Sequence, residues 1–292
     1  MEIINDKGKI KKIIAMNGHA AEHNYNHFLN IGQIYDSTSF VASGNKGIMS
    51  YMDGTDMWCY SDPLAPKEER LKMFIEFLQW AFDNGSKKVR AEVSEDLWKK
   101  ITEAVKSGYR CIKPSYIYQW PIFDLKKWDP LLSGSHFKSL RNAKNSFYKE
   151  HKVEVIDARK LKKEGIIKLI EKWKKMRGGT DKTHTEHYMS AVESGFEGYD
   201  STRAIIVDGN IGAITGGWKV LHSNDFYSQL GLINYEMKGV GDIAYIEDLN
   251  FLKNAGYAHA DFGGSTPEMM SFKNKFLPSS VYKTVEFSIK KK

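Results

Sequence analysis

Phe226-Tyr227-Ser228-Gln229-Leu230-Gly231-Leu232-Ile233-Asn234-Tyr235-Glu236-Met237-Lys238-Gly239-Val240-Gly241-Asp242 is the stretch on which the fold turns. Residues 226–233 predict a β-strand, rich in aromatic and aliphatic side chains and free of proline. A helix over 242–254 follows, closed by the stop signal Ala255-Gly256. Between them, the glycines of Glu236-Met237-Lys238-Gly239-Val240-Gly241 let backbone N–H groups approach an anion, and the helix start adds the positive end of its dipole. Lys238, Gly239 and Gly241 are therefore candidates for holding a phosphate-bearing cofactor; an ordinary flexible turn fits the same residues.

The same alternation runs outward in both directions. Upstream, strands are predicted over 203–207 and 211–220, with turns at Asp208-Gly209-Asn210 and His222-Ser223-Asn224. Helices near 166–176 and 185–194 and a strand over 153–156 come before them. Downstream lie a strand over 259–262, a glycine pair, a short helix after Pro267 and a last strand over 281–289. In the first half, strands over 39–42, 47–53 and 57–61 lead to Asp62-Pro63, then to a helix over 67–83 whose stripe is Leu71, Phe74, Ile75, Leu78 and Phe82. A strand over 87–93, a helix capped by Ser94 and a long strand over 109–125 complete it. Both halves thus end in the order strand, turn, helix, strand, second helix, strand, an internal duplication of topology in an α/β protein. The division expected is 1–130, a basic linker helix within 131–151, and 152–292.

Composition narrows the function classes. A chain of 292 residues, 41% apolar and 13% aromatic, can bury a sizeable core. No run of eighteen apolar residues and no signal-peptide pattern occurs, so a cytoplasmic protein without a transmembrane segment is expected. Two cysteines, Cys59 and Cys111, without metal-finger spacing, point to buried thiols and to neither a disulfide framework nor structural zinc. The net charge of +7 is concentrated: from Lys126 to Ser190, 17 Lys and Arg stand against 8 Asp and Glu. Such a segment suits a phosphate-bearing partner, through counterion release, or simply a solvated face. His19, His23 and His27, spaced by four on an expected helix over 19–30, are read as a polar face rather than a metal site, since no H-E-x-x-H accompanies them.

Ser271-Phe272-Lys273-Asn274-Lys275-Phe276-Leu277-Pro278, with Tyr282 beyond, follows Asp261-Phe262-Gly263-Gly264-Ser265. This end resembles the C-terminal catalytic domain of phosphatidylglycerol lysyltransferases and their soluble relatives, which close on F-K-x-K-F-x-P with a tyrosine shortly after. Through them it is similar to the FemABX peptidoglycan aminoacyltransferases. Asp62-Pro63, Leu140-Arg141-Asn142, Gly241-Asp242 and Asn254-Ala255-Gly256-Tyr257 extend the resemblance from about residue 57 to Tyr282. The glycine loop resembles the acyl-CoA pyrophosphate loop of the GNAT superfamily, with Glu236 where Gln or Arg is usual.

The resemblance implies two tandem GNAT-like acyltransferase halves, with mixed, mostly antiparallel sheets flanked by helices. It also implies an aminoacyltransferase using aminoacyl-tRNA as co-substrate, with no cofactor, and a small-molecule, peptide or lipid acceptor reached without a membrane span, although peripheral membrane contact is compatible. Lys273 is the first catalytic candidate, an ammonium able to stabilise a developing oxyanion or hold a terminal phosphate. Phe272, Lys275, Gly263, Gly264 and Ser265 would line the substrate path, and Arg141, Lys144 and Asn145 would grip phosphate. Asp242, Tyr227 and Asp248, with Glu247 and Asp225, are candidate bases for the acceptor, and Asp242 reads equally as a helix cap. One departure is plain: lipid-modifying members carry Asp-Leu-x-Arg where this chain has Leu230-Gly231-Leu232-Ile233, which speaks against phosphatidylglycerol and lysine as the reacting pair. Two rivals remain, an acyl-CoA-dependent GNAT-type N-acyltransferase and a non-catalytic RNA-binding module.

Overall fold

The computed structural model describes residues 1–177 and 184–292. The first compact unit holds residues 1–120, together with 264–266 and 282–292. It begins with β1 (Glu2–Ile4), α1 (Lys7–Asn17) and α2 (Tyr25–Gly32). Then come β2 (Ser37–Ser43), β3 (Lys46–Asp53), β4 (Asp56–Tyr60), α3 (Arg70–Asp83), β5 (Lys88–Ser94), α4 (Glu95–Ala104) and the larger part of β6 (Tyr109–Asp124). Strands β1 to β4 pair antiparallel in sequence order, and β4 pairs parallel with β5 across the α3 crossover. Helix α3 buries Met73, Phe74, Phe77, Leu78, Ala81 and Phe82 in one cluster with Val89, Ala91 and Val93 of β5; of the expected stripe Phe74, Leu78 and Phe82 are buried, while Leu71 and Ile75 lie at its half-buried edge.

The second unit holds residues 121–263 and 267–281. Its elements are α5 (Lys138–Glu150), β7 (Val153–Asp157), α6 (Lys163–Arg177), α7 (Glu186–Glu193), β8 (Ser201–Val207), β9 (Asn210–Lys219) and β10 (Asp225–Ile233). These are followed by α8 (Val240–Asn254), β11 (His259–Asp261) and α9 (Pro267–Lys273). Strands β7 to β10 form an antiparallel meander; β10 pairs parallel with β11, which pairs antiparallel with the end of β6. Two apolar clusters lie among its described residues. One gathers Trp128, Leu140, Leu249, Phe262 and Phe276, and the other Phe147, Ile205, Ile233, Val240 and Ile243. Each unit is thus a mixed, mostly antiparallel sheet flanked by helices.

The division differs from one near residue 130. The last strand, β12 (Ser280–Lys291), gives its residues from Tyr282 onward to the first unit, where Thr284 to Ile289 pair antiparallel with β5. Val285, Phe287 and Ile289 are buried there beside the α3 residues. The basic segment is also not a free linker: the helix starts at Lys138, after a turn in which Asp129 accepts from Leu131 N and Ser133 N, and it lies within the second unit.

The histidines are not on one helix face. His19 and His23 precede α2, and only His27 lies in it. His23 Nδ1 accepts from the backbone N–H groups of His19 and Ala20 at 3.0 and 3.2 Å, and burial pushes its imidazole down to about 3, so the ring is a neutral, buried pin for the chain bend. Among the described residues no group of three or more His, Cys, Asp or Glu side chains is placed to hold a metal ion.

Candidate active site

The C-terminal end of β10, the loop after it, the start of α8 and the segment around α9 enclose a cavity of about 480 Å³ in the second unit. Gly231 and Ile233 come from β10, and Tyr235, Met237, Lys238 and Gly239 from the loop. Helix α8 gives Gly241, Asp242 and Tyr245, and the segment from α9 onward gives Glu268, Met269, Phe272, Lys273 and Lys275. The loop can turn into the helix because Gly239 takes a left-handed conformation, φ 88°, as N-cap of α8. Helix α8 therefore starts at Val240, two residues earlier than expected, and Asp242 sits in its first turn, not at its cap. A carboxylate there is favoured by the helix dipole.

Lys273 is only 1% exposed although it lines the cavity. Its ammonium donates to the carbonyl oxygens of Phe262 and, at 3.3 Å, Gly263. Burial pushes this ammonium down to about 8, against the pull of Asp261, so it remains mainly charged at neutral pH. Asp261 Oδ1 in turn accepts from Gly263 N at 2.8 Å. The end of β11 is thus fastened from both sides, and a positive charge is held at the cavity wall.

Lys275 Nζ lies 3.0 Å from Asp242 Oδ1 and 4.7 Å from the centre of the Phe272 ring. Phe272 packs edge-on against Tyr245, with ring centres 5.1 Å apart. A periodic set is visible here: Met269, Phe272 and Lys273 stand at i, i+3 and i+4 on α9 and face one space.

Seven candidates from the sequence therefore meet in one cavity: Lys238, Gly239, Gly241, Asp242, Phe272, Lys273 and Lys275. The others lie elsewhere. Asp248 is fully buried in a network with Arg203, accepting from Thr215 Oγ1 at 3.0 Å and Ser228 Oγ at 2.6 Å, so it holds α8 to the sheet. Tyr227 is buried edge-on to Trp218, and its ring fills the space beside Gly263. Gly263 has φ 79°, a turn that favours glycine.

Gly264 and Ser265 belong to the first unit, where a Cβ on Gly264 would come within 3.2 Å of the Trp120 indole, and Ser265 bridges to Gln119. Arg141 donates to the carbonyls of Leu132 and Gly134, and Lys144 to that of Pro130, so both brace the turn before α5; Asn145 is exposed. Glu236 is ion-paired with Lys172. Gly231, Tyr235, Tyr245, Glu268 and Met269 were not candidates from sequence, yet line the cavity. Strand alternation from Ile233 and the i, i+3, i+4 spacing around Phe272 are the signals that point to them.

The family profile of the phosphatidylglycerol lysyltransferase C-terminal domain matches residues 19–277, and the chain belongs to that family, an acyltransferase family. Among solved structures it is similar to the L-PGS of Bacillus licheniformis, at 17% identity and TM-score 0.68, covering 98% of this chain and 91% of that one. It is similar also to a C-terminal domain named for a candidate lysylphosphatidylglycerol synthetase of Agrobacterium fabrum, at 15% identity and TM-score 0.71, covering 98% and 92%. FemX shares 12% identity over 99% of this chain and 97% of its own, with TM-score 0.64. These likenesses establish the tandem GNAT-like fold. No curated protein matches the sequence. Among the described residues no helix is long and apolar enough to cross a membrane.

Proposed function

We propose that the chain is an aminoacyltransferase that moves an aminoacyl group from the ester of a charged tRNA to an amine or hydroxyl of a lipid, peptide or small molecule. The observation that carries this reading is that the buried Lys273 ammonium and the Lys238-Gly239 loop at the start of α8 line the same cavity. The loop and helix dipole suit a phosphate, and the ammonium suits the oxyanion that develops on an ester carbonyl next to it.

In the reaction, the acceptor nitrogen or oxygen bonds to the carbonyl carbon, the ester bond to the ribose oxygen breaks, and the acceptor's proton ends on that oxygen. The ester is already activated, so the chain supplies orientation, charge and a path for one proton. Asp242, the candidate base that lines the cavity, is engaged by Lys275. Peripheral membrane contact and a cytoplasmic location belong to the same reading.

Lys273→Ala should lower transfer from a pool of charged tRNAs by about 10²–10³, the cost of one oxyanion donor, while salt-sensitive tRNA binding persists. Unchanged transfer in the variant would remove Lys273 from the chemistry. A pure RNA-binding module would show tRNA binding without transfer in either protein. The glycine loop supports a second reading, transfer from acyl-CoA; stabilisation by CoA together with no salt-sensitive tRNA shift would favour it.

A further inference from the structure

We propose that the cavity of the second unit is an acyl pocket for a group whose side chain is uncharged and largely apolar, and that Gly231 sets how large that side chain can be; this rests on the acyl-transfer reading above. Five of the lining side chains are apolar or aromatic: Ile233, Met237, Tyr245, Met269 and Phe272. Methionine at two of these places gives a surface that adapts to ligand shape.

The charged groups in the lining are committed or peripheral. Lys275 pairs with Asp242 at 3.0 Å, and Lys273 donates to the carbonyls of Phe262 and Gly263. Lys238 and Glu268 are exposed, at the rim. A cationic acyl side chain among these walls would meet the Lys273 charge, and an anionic one would compete with the carbonyls that Lys273 already serves, both expensive arrangements. An uncharged one loses only water.

Gly231 is the informative position. A Cβ built there meets no atom within 4 Å, and its backbone is not left-handed. Neither packing nor conformation requires glycine at this point of β10; Gly231 is an exposed part of the cavity lining, and its missing side chain leaves open space there. A side chain at 231 would occupy the space that a ligand would take. The donor is an aminoacyl ester, with its α-ammonium beside the carbonyl, or a simple acyl thioester, since both can carry the same uncharged chain beyond that carbon.

The test is calorimetric titration of the 292-residue protein with leucinamide, phenylalaninamide, lysinamide, the α-amide of aspartate and N-acetyl-S-butyryl cysteamine. A probe with an uncharged side chain is expected to bind at least about 10-fold more tightly than lysinamide or the aspartate α-amide, the discrimination a hydrophobic pocket gives for one or two groups. Preference for the amino-acid amides indicates an aminoacyl source, and preference for the cysteamine thioester a thioester source. Gly231→Phe should weaken the best probe with an uncharged side chain at least about 10-fold with little change in unfolding temperature; Gly231→Val, a smaller insertion, should weaken it less. Tightest binding of lysinamide or the aspartate α-amide, binding of no probe, or unchanged binding in both variants would overturn the proposal. Transfer from charged tRNAs is measured alongside, so that lost tRNA dependence with a retained apolar preference removes only the tRNA reading.

Discussion

At Glu92 the carboxyl stands opposite Glu286 in the β5–β12 pair and accepts a hydrogen bond from Thr284 Oγ1 at 2.7 Å. Thr284 Oγ1 in turn accepts from Trp120 Nε1 at 2.8 Å. Burial pushes this acid up to about 7; the Thr284 bond pulls the other way and the Glu286 charge adds to the rise. The folded chain therefore prefers the protonated acid. Its contribution to stability is fully present below the ordinary value of 4.5 and is lost as the pH rises through about 7. Relative to the native chain, Glu92→Gln should gain on the order of 2–3 kcal/mol between about pH 4.5 and pH 8. Urea unfolding of both proteins at the two pH values checks this, and parallel pH curves would mean that Glu92 titrates normally. Nothing in the alternating pattern of residues 87–93 marks this acid as special, because its burial and its partner at 284 come from a strand far away in the sequence.

Between residues and the whole lies the pairing of β9 with β10. A Cβ on Gly217 would come 1.7 Å from the carbonyl oxygen of Tyr227, in the stretch where the register of these strands shifts between Tyr227 and Leu230. Gly217→Ala should force the strands apart and cost about 2–4 kcal/mol, read as a lower denaturant midpoint; a loss below about 0.5 kcal/mol would mean the strands yield freely. The strands themselves were legible in the sequence because their apolar alternation and turn residues agree, as at Asp208-Gly209-Asn210 between β8 and β9. Helix α1 was not, since its buried stripe of Ile10, Ile13 and Ile14 sits among four lysines. The i, i+4 spacing of His19, His23 and His27 misled for the opposite reason: Asn24 caps α2 and starts the helix after two of the three histidines. In the cavity, residues with distinctive chemistry such as Lys273 and Gly239 were readable, whereas Tyr245 and Met269 look like ordinary core positions until the helices carrying them are placed.

For the molecule as a whole, the order of residues and the grouping of contacts disagree. The first unit takes its residues 282–292 from the far end of the sequence, and without them β5 has lost an antiparallel neighbour along Val89 to Ser94. A fragment of residues 1–130 should therefore fail to unfold cooperatively and should aggregate through that bare edge. Calorimetry and sedimentation of the fragment check this, and a monomer with a sharp transition would show that β12 is dispensable.

The bond from Thr284 to Glu92 spans 192 residues. On the ribosome, strand β5 emerges long before its neighbour has been translated, so the N-terminal portion must wait, part-assembled and in need of shielding from other nascent chains, until the last strand arrives.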